Sequence, residues 1–332
     1  MATVQTYSRV GIAEDVSDII TNIDPHLTPF QTMIGTGKVH QPFYQWQEDD
    51  FRRVKVNAAV EGADATSTTR AATTMRANYT QILEETISIS DRTERTKLYG
   101  RRSETKYQSA KVAKELKRDL EHALVGRVQN AAAGDSSTAS FLGNVFGQDA
   151  SGTPANIVSN RTAMGGNVFS ETALLDMHER LYNEGADPSV LMVTPLTARS
   201  IAGFANAAGR ERDFGHTKKV VNAVDLYVSP YGEVKVYLNR FLQAYVADDA
   251  TPPEEQIDPP ADDPSNTAPD QLGTAILFDP AMFQLVTFRP WTRTKLAKTG
   301  DAENYQMLGE YGLKHRNYKV SGVFTGIGVT VP

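Results

Sequence analysis

Gly100-Arg-Arg-Ser-Glu-Thr-Lys-Tyr-Gln-Ser-Ala-Lys-Val-Ala-Lys-Glu-Leu-Lys-Arg-Asp-Leu-Glu-His-Ala-Leu-Val-Gly-Arg-Val-Gln-Asn130 is the stretch on which the fold turns. It contains no proline, and only Gly126 interrupts it, while Ala113, Leu116, Leu120, Ala123, Leu124 and Val128 recur at three- and four-residue spacing. That spacing predicts one long amphipathic helix. Thirty residues at 1.5 Å each would span roughly 45 Å, longer than a compact domain of this size needs. Residues 91–118 carry ten Lys or Arg against four Asp or Glu. Two readings of that excess are open: a solvated helix face, or a patch lying near a phosphate backbone.

Upstream of this helix, residues 51–60 and 79–90 alternate with period two and are rich in β-branched residues, and both are expected to be strands. Between them Glu61-Gly62-Ala63-Asp64 and a run of Ala and Thr to Thr74 hold too little apolar mass to pack a core. A long projecting hairpin is the expected form; a disordered insertion between two separate strands is the alternative. Further upstream, Ile12, Val16, Ile19, Ile20 and Ile23 share a helical face that Asp24-Pro25 ends. His26-Leu27-Thr28-Pro29-Phe30 and Gly35-Thr36-Gly37 mark turns, so the first forty residues read as an arm laid across another surface, or else as an ordinary peripheral helix.

Downstream, residues 131–166 are rich in Gly, Ser, Ala and Asn and read as loops with room for one short strand. An α/β alternation follows. Ser170 caps a helix whose broad face holds Leu174, Leu175, Met177, His178 and Leu181; Val190-Leu-Met-Val-Thr is a buried strand; Pro195 opens a helix through Phe204. Further strands are expected at 224–228, 233–238, 241–246, 274–278 and 283–288. Residues 248–270 hold eight acids, six prolines and no base, a composition that cannot pack a core.

The chain of 332 residues has 34 Lys and Arg against 40 Asp and Glu, a net charge of -6, and no cysteine. Disulfides, thiolate metal sites and cysteine nucleophiles are excluded. The acidity belongs to one place: without residues 248–270 the balance is +2. The first residues lack a signal-peptide pattern, and no run approaches the roughly 18 apolar residues of a membrane helix, so a soluble protein without a membrane partner is expected. Chemistry is hard to find. Gly37-Lys38 has Thr32 and Val39 where a phosphate loop needs Gly and Ser or Thr; His178-Glu179 has Tyr182 where a zinc helix needs its second His. Asp213-Phe-Gly215 stands without the other kinase elements. The six histidines, at 26, 40, 122, 178, 216 and 315, form no ligand pair. No catalytic, cofactor-binding or metal residue is therefore assigned.

The order of arm, hairpin, spine helix, mixed domain and C-terminal return, with Thr28-Pro29-Phe30, Pro290-Trp-Thr-Arg-Thr-Lys-Leu-Ala-Lys-Thr-Gly-Asp301 and Glu310-Tyr-Gly-Leu-Lys-His-Arg-Asn317, resembles the major capsid proteins of tailed bacteriophages. More narrowly it resembles a podovirus or siphovirus subfamily with the Hong Kong 97-like fold, from about residue 5 to residue 328. The resemblance implies an α+β fold in five parts: an N-terminal arm at 1–45, an extended β-hairpin loop at 46–92, and a peripheral domain with the spine helix at 93–160. An axial domain at 161–288 contains the acidic insertion, and 289–332 return through both domains. It implies a non-enzymatic shell subunit of the virion, assembled in the host bacterial cytoplasm into hexamers and pentamers around double-stranded DNA, with no cofactor. A separate scaffold protein and a portal are the implied partners, and whether a cement protein joins them is left open. Arg92, Arg95, Lys97, Arg101, Arg102 and Lys106 are the expected DNA-facing set, binding without regard to base sequence; Phe30, Phe51, Val54 and Val56 are the expected intersubunit contacts.

Three departures qualify the resemblance. The Lys, Asn and Glu of the isopeptide crosslink known in some members cannot be matched, so no covalent crosslink is expected. The chain begins at the arm, without a helical scaffolding segment. The acidic insertion is foreign to the pattern. An encapsulin-like compartment and a soluble α/β enzyme are the competing readings.

Overall fold

The computed structural model describes residues 27–52, 54–62, 64, 67–97, 100, 103–126, 129–151, 156–207, 226–242, 273–298 and 300–328. The N-terminal helix expected at 11–23 and the acidic stretch 248–270 lie outside them. The elements in chain order are α1 (Pro29–Met33), β1 (Gly35–Lys38), β2 (Phe43–Glu48), β3 (Thr74–Tyr79), β4 (Gln81–Ser90), α2 (Asp91–Arg95), α3 (Glu104–Val125) and β5 (Asn160–Ala163). They continue with α4 (Glu171–Asn183), β6 (Val190–Val193), α5 (Pro195–Ala207), β7 (Leu226–Ser229), β8 (Gly232–Leu238), β9 (Gly273–Phe278), β10 (Phe283–Lys295), β11 (Ala302–His315) and β12 (Gly322–Ile327). Among the described residues no helix is long and apolar enough to cross a membrane.

The spine helix is α3, and its 22 residues span about 33 Å. Ser103 caps its start, its Oγ accepting from the Lys106 N–H at 3.3 Å. At the other end the Val145 N–H donates to the Leu124 carbonyl, which ends the ladder at a backbone group from the following loop. Val112, Leu116, Leu120, Ala123 and Leu124 form its buried face.

A six-stranded sheet runs in the order β5-β12-β9-β6-β8-β7. Its central strands are buried on both faces, which is why Val190–Val193 read as an unbroken apolar run. Val190, Met192, Ile276, Phe278 and Val323 point into a core shared with α1, α3 and the second sheet. Their neighbours Leu191, Val193, Ala275, Leu277 and Phe324 point the other way, onto α4 and α5. The second sheet, β1-β10-β11-β4, is built on the long antiparallel β10–β11 pair, whose register shifts around Arg289, next to Pro290.

Three expectations fail. Residues 51–60 form no strand; β2 pairs with β3 instead, from Phe43↔Tyr79 to Glu48↔Thr74, and β4 pairs with β11. Period-two alternation qualifies a segment for a sheet but cannot supply a partner, and Tyr44 and Trp46 in β2 have one, the surface of β10 at Val286. The strand expected at 241–246 is, where described, a single 3-10 turn, Arg240–Leu242. The arm expected to lie on another surface is, from Pro29 onward, folded on its own chain: β1 pairs in parallel with β10, and Phe30 is fully buried between Phe278 and Phe283, ring centroids 5.5 Å from each.

Candidate functional site

Two surfaces carry what the molecule can do, and the first begins with a buried clamp. On β3 the alternate residues Arg76, Asn78 and Thr80 beside it turn inward. Arg76, 1% exposed, donates from Nε to Glu48 at 3.1 Å and from a terminal nitrogen to Asp149 at 3.0 Å, while its guanidinium lies 3.8 Å from the Tyr318 ring centroid. Asn78 Nδ2 donates to the carbonyls of Gly143 (2.9 Å) and Leu313 (2.8 Å), and its Oδ1 accepts from the Gly143 N–H at 2.7 Å. Thr80 Oγ1 donates to Glu310 at 2.6 Å, and Arg289 holds the other oxygen of that carboxylate at 2.7 Å. On β2 the Tyr44 hydroxyl donates to the Leu313 carbonyl at 2.7 Å. A Cβ at Gly312 would stand 2.5 Å from that hydroxyl, so glycine is required there. Burial raises the Glu48 carboxyl pKa even though Arg76 opposes it.

From this clamp the chain leaves as the stretch 49–73, whose described residues are all exposed. Phe51, Val54 and Val56 are 103%, 100% and 93% exposed. Phe30, the fourth expected contact, is removed from that set, because its side chain is buried in its own subunit's core. A free row of Phe and Val on a segment held at both ends offers apolar area for another surface.

The second surface is basic. Arg92 and Arg95 are exposed on α2, Lys97 follows, and Lys106 is exposed in the first turns of α3; Arg101 and Arg102 lie outside the described residues. The four described bases make no ion pair among the described residues. The nearby acids are engaged elsewhere. Glu94 accepts from the Ser103 hydroxyl (2.7 Å) and the Thr105 N–H (2.9 Å), so it joins α2 to the N-terminus of α3, and these bonds lower its pKa. Asp91 pairs with Lys298, and the Asp91 N–H donates to the Asp301 carbonyl at 2.9 Å. The Ala297–Asp301 turn thus meets α2, and Arg293, stacked 4.2 Å from the Tyr305 ring centroid, and Lys295, paired with Glu303 at 2.6 Å, add charge to the same end.

Sequence reasoning missed the whole clamp. A lone Arg in a strand looks solvated, and nothing local reveals that Asp149, Leu313 and Tyr318 fold back onto it. It also missed Arg293, Lys295 and Lys298, which only the β11–β4 pairing brings beside α2.

No group of three or more metal-ligating side chains exists among the described residues. His178 Nδ1 lies 3.0 Å from Ser229 Oγ, but that hydroxyl donates to the Gly232 carbonyl at 2.9 Å and is spent as a turn contact rather than poised as a nucleophile.

Residues 2–328 match the family described as SU10 major capsid protein. The major capsid protein of Escherichia phage Phieco32 is 28% identical over 368 residues, covering 97% of this chain and 97% of its own. Among solved structures, the capsid asymmetric unit of cyanophage A-1(L) matches with a TM-score of 0.67 at 10% identity, covering 98% of this chain and all of that one. The holo-SrpI encapsulin complex from Synechococcus elongatus PCC 7942 matches with a TM-score of 0.57 at 9% identity, covering 99% of this chain and 98% of that one.

Proposed function

The chain belongs to the SU10 major capsid protein family, and from that premise we propose how its two surfaces build and line the shell. It is a major capsid protein of a tailed phage, a structural subunit of the virion, with the Hong Kong 97-like α+β fold. The likeness to an encapsulin is one of fold alone, and the family membership separates the phage shell from the cellular compartment. Copies of the chain assemble into the shell.

Our reading of the parts is as follows. The six-stranded sheet with α4 and α5 is the axial domain. The four-stranded sheet with α3 is the peripheral domain. The extended loop, expected at 46–92, is narrowed to the clamped β2–β3 pair and the free stretch between them, residues 43–79. Hexamers and pentamers form when that stretch lays Phe51, Val54 and Val56 on a neighbouring subunit. The observation that carries this is the contrast between a base held by buried hydrogen bonds and ion pairs and an apolar row with no cover among the described residues. Head-to-tail contacts of this kind close into rings and add up across a shell even when each is weak.

Arg92, Arg95, Lys97 and Lys106, with Arg101 and Arg102, face packaged double-stranded DNA and neutralise phosphates without reading bases. A separate scaffold protein, a portal and a cement protein complete the assembly, which takes place in the host cytoplasm, and the subunit performs no catalysis. Deleting residues 62–73 tests the loop. Isolated subunits are expected to unfold as before, while particles disassemble at lower temperature; particles of unchanged thermal stability would overturn the loop's role.

A further inference from the structure

The exposed side of α3 extends the basic surface well past Lys106. At 3.6 residues per turn, Lys106, Lys117, Lys114, Arg118 and Lys111 fall in that order across an arc of about 140°. Val112, Leu116 and Leu120 occupy the opposite, buried side. No exposed acid of the helix lies inside the arc: Glu121 is turned inward, where it accepts from the Phe30 and Gln31 backbone N–H groups and from Asn239, while Glu115 and Asp119 stand beyond Lys111, the latter beside Glu85. Lys111 reaches Glu115 at 3.5 Å, but Lys106, Lys114 and Lys117 make no ion pair among the described residues. Arg118 is half-buried over the Phe241 ring, 5.9 Å from its centroid, with the Asp119 carboxylate nearby.

This arrangement works against the helix. Lys111, Lys114 and Lys117 are neighbours at i,i+3, and Lys114 and Arg118 at i,i+4, spacings at which like charges repel. A merely solvated face would gain from alternating signs. A duplex with one negative charge per about 1.7 Å of axis removes the repulsion, and the stripe from Lys106 to Lys117 runs about 16 Å along the helix axis, enough to meet several phosphates.

We propose that this face of α3, Lys106, Lys111, Lys114, Lys117 and Arg118, is the main surface through which the subunit contacts duplex DNA, by charge alone. The proposal rests on the DNA-lining role given above and relocates its centre from α2 to the length of the spine helix.

The test uses the full-length unassembled subunit and a fluorescent 20-base-pair duplex, with anisotropy followed from 50 to 200 mM salt. At about 0.9 per phosphate, the triple variant Lys106→Gln/Lys114→Gln/Lys117→Gln should lower the salt slope by about 2.7, so wild type should lose about 40-fold more affinity across that range than the variant. The matching Lys→Arg triple should keep the wild-type slope, which separates charge from any change in the helix. An unchanged slope in the Gln triple overturns the proposal. So does tighter binding of poly-glutamate than of the duplex, which would give the face to an acidic protein. A companion variant, Arg92→Gln/Arg95→Gln/Lys97→Gln, separates the two ideas: if it alone abolishes binding, the DNA-lining role stands and the α3 assignment falls. If wild type does not bind the duplex at all, both fall.

Discussion

Replacing Arg76 by Met should bring the subunit close to unfolding, and the reason can be worked from Glu48, Asp149 and Tyr318 around it. The substitution preserves much of the side-chain bulk but leaves Glu48 and Asp149, both nearly buried, without their cation. Breaking a buried pair from one side costs about 3–5 kcal/mol, and losing the contact with the Tyr318 ring adds about 1. The expected loss of about 4–6 kcal/mol is a large fraction of an ordinary domain's stability. Urea unfolding of unassembled subunits would measure it, and Trp46, whose indole N–H donates to Glu48 at 3.3 Å, reports from beside the clamp. Two further arms make the test specific. Adding Glu48→Gln and Asp149→Asn to the Arg76→Met variant should recover at least half of the loss, since the stranded charges are then gone. The deficit should also shrink at low pH. Burial already raises Glu48, and a carboxyl with a raised folded pKa favours folding below its unfolded pKa and loses that contribution as pH rises through the folded value. A loss below about 1 kcal/mol, or a triple variant no more stable than the single one, would refute the clamp as described.

Two other outcomes follow from single buried groups. In Glu121→Gln the new amide must face an N–H donor whichever way it is turned, because Oε1 accepts from Phe30 N–H and Asn239 and Oε2 from Gln31 N–H. About 1–3 kcal/mol should be lost, with faster hydrogen exchange at Phe30 and Gln31; protection there equal to wild type would contradict the role. Burial pushes the His315 pKa down to about 4, its ring stacked 4.1 Å from Phe283, so the unfolded chain binds the proton first. Stability should therefore be complete above the unfolded value near 6.5 and decline as pH falls through about 4, by about 3 kcal/mol in all, and His315→Asn should flatten that limb of the pH–stability profile.

Where apolar spacing alone decides structure, as along α3, α4, β6 and β9, the sequence was legible, because one element's periodicity names its own buried face. It failed where a partner decides. Residues 51–60 have a strand's alternation and no strand to pair with, while Phe43–Glu48, passed over, pack Tyr44 and Trp46 on β10. Phe30 carries no local mark of the Phe278 and Phe283 rings that enclose it, some 250 residues away. The basic character of 91–118 was visible as a count, but the named set stopped at Lys106; projecting the remaining lysines on a helical wheel would have shown the stripe on α3. The clamp was illegible for a plain reason: its charges neutralise one another across 28 and 73 residues of chain, and no motif has that spacing.

The position of β12 ties both cores to one strand. This strand is inserted between β5 and β9, and among the described residues β5 has no other neighbour in the sheet. Its adjacent residues Val323 and Phe324 each fill a different one of the two large cores. Neither core is complete without residues 322–327. A chain in which this strand has not docked leaves β5 unpaired and both cores open, so the finishing of the subunit's surfaces hinges on one long-range pairing.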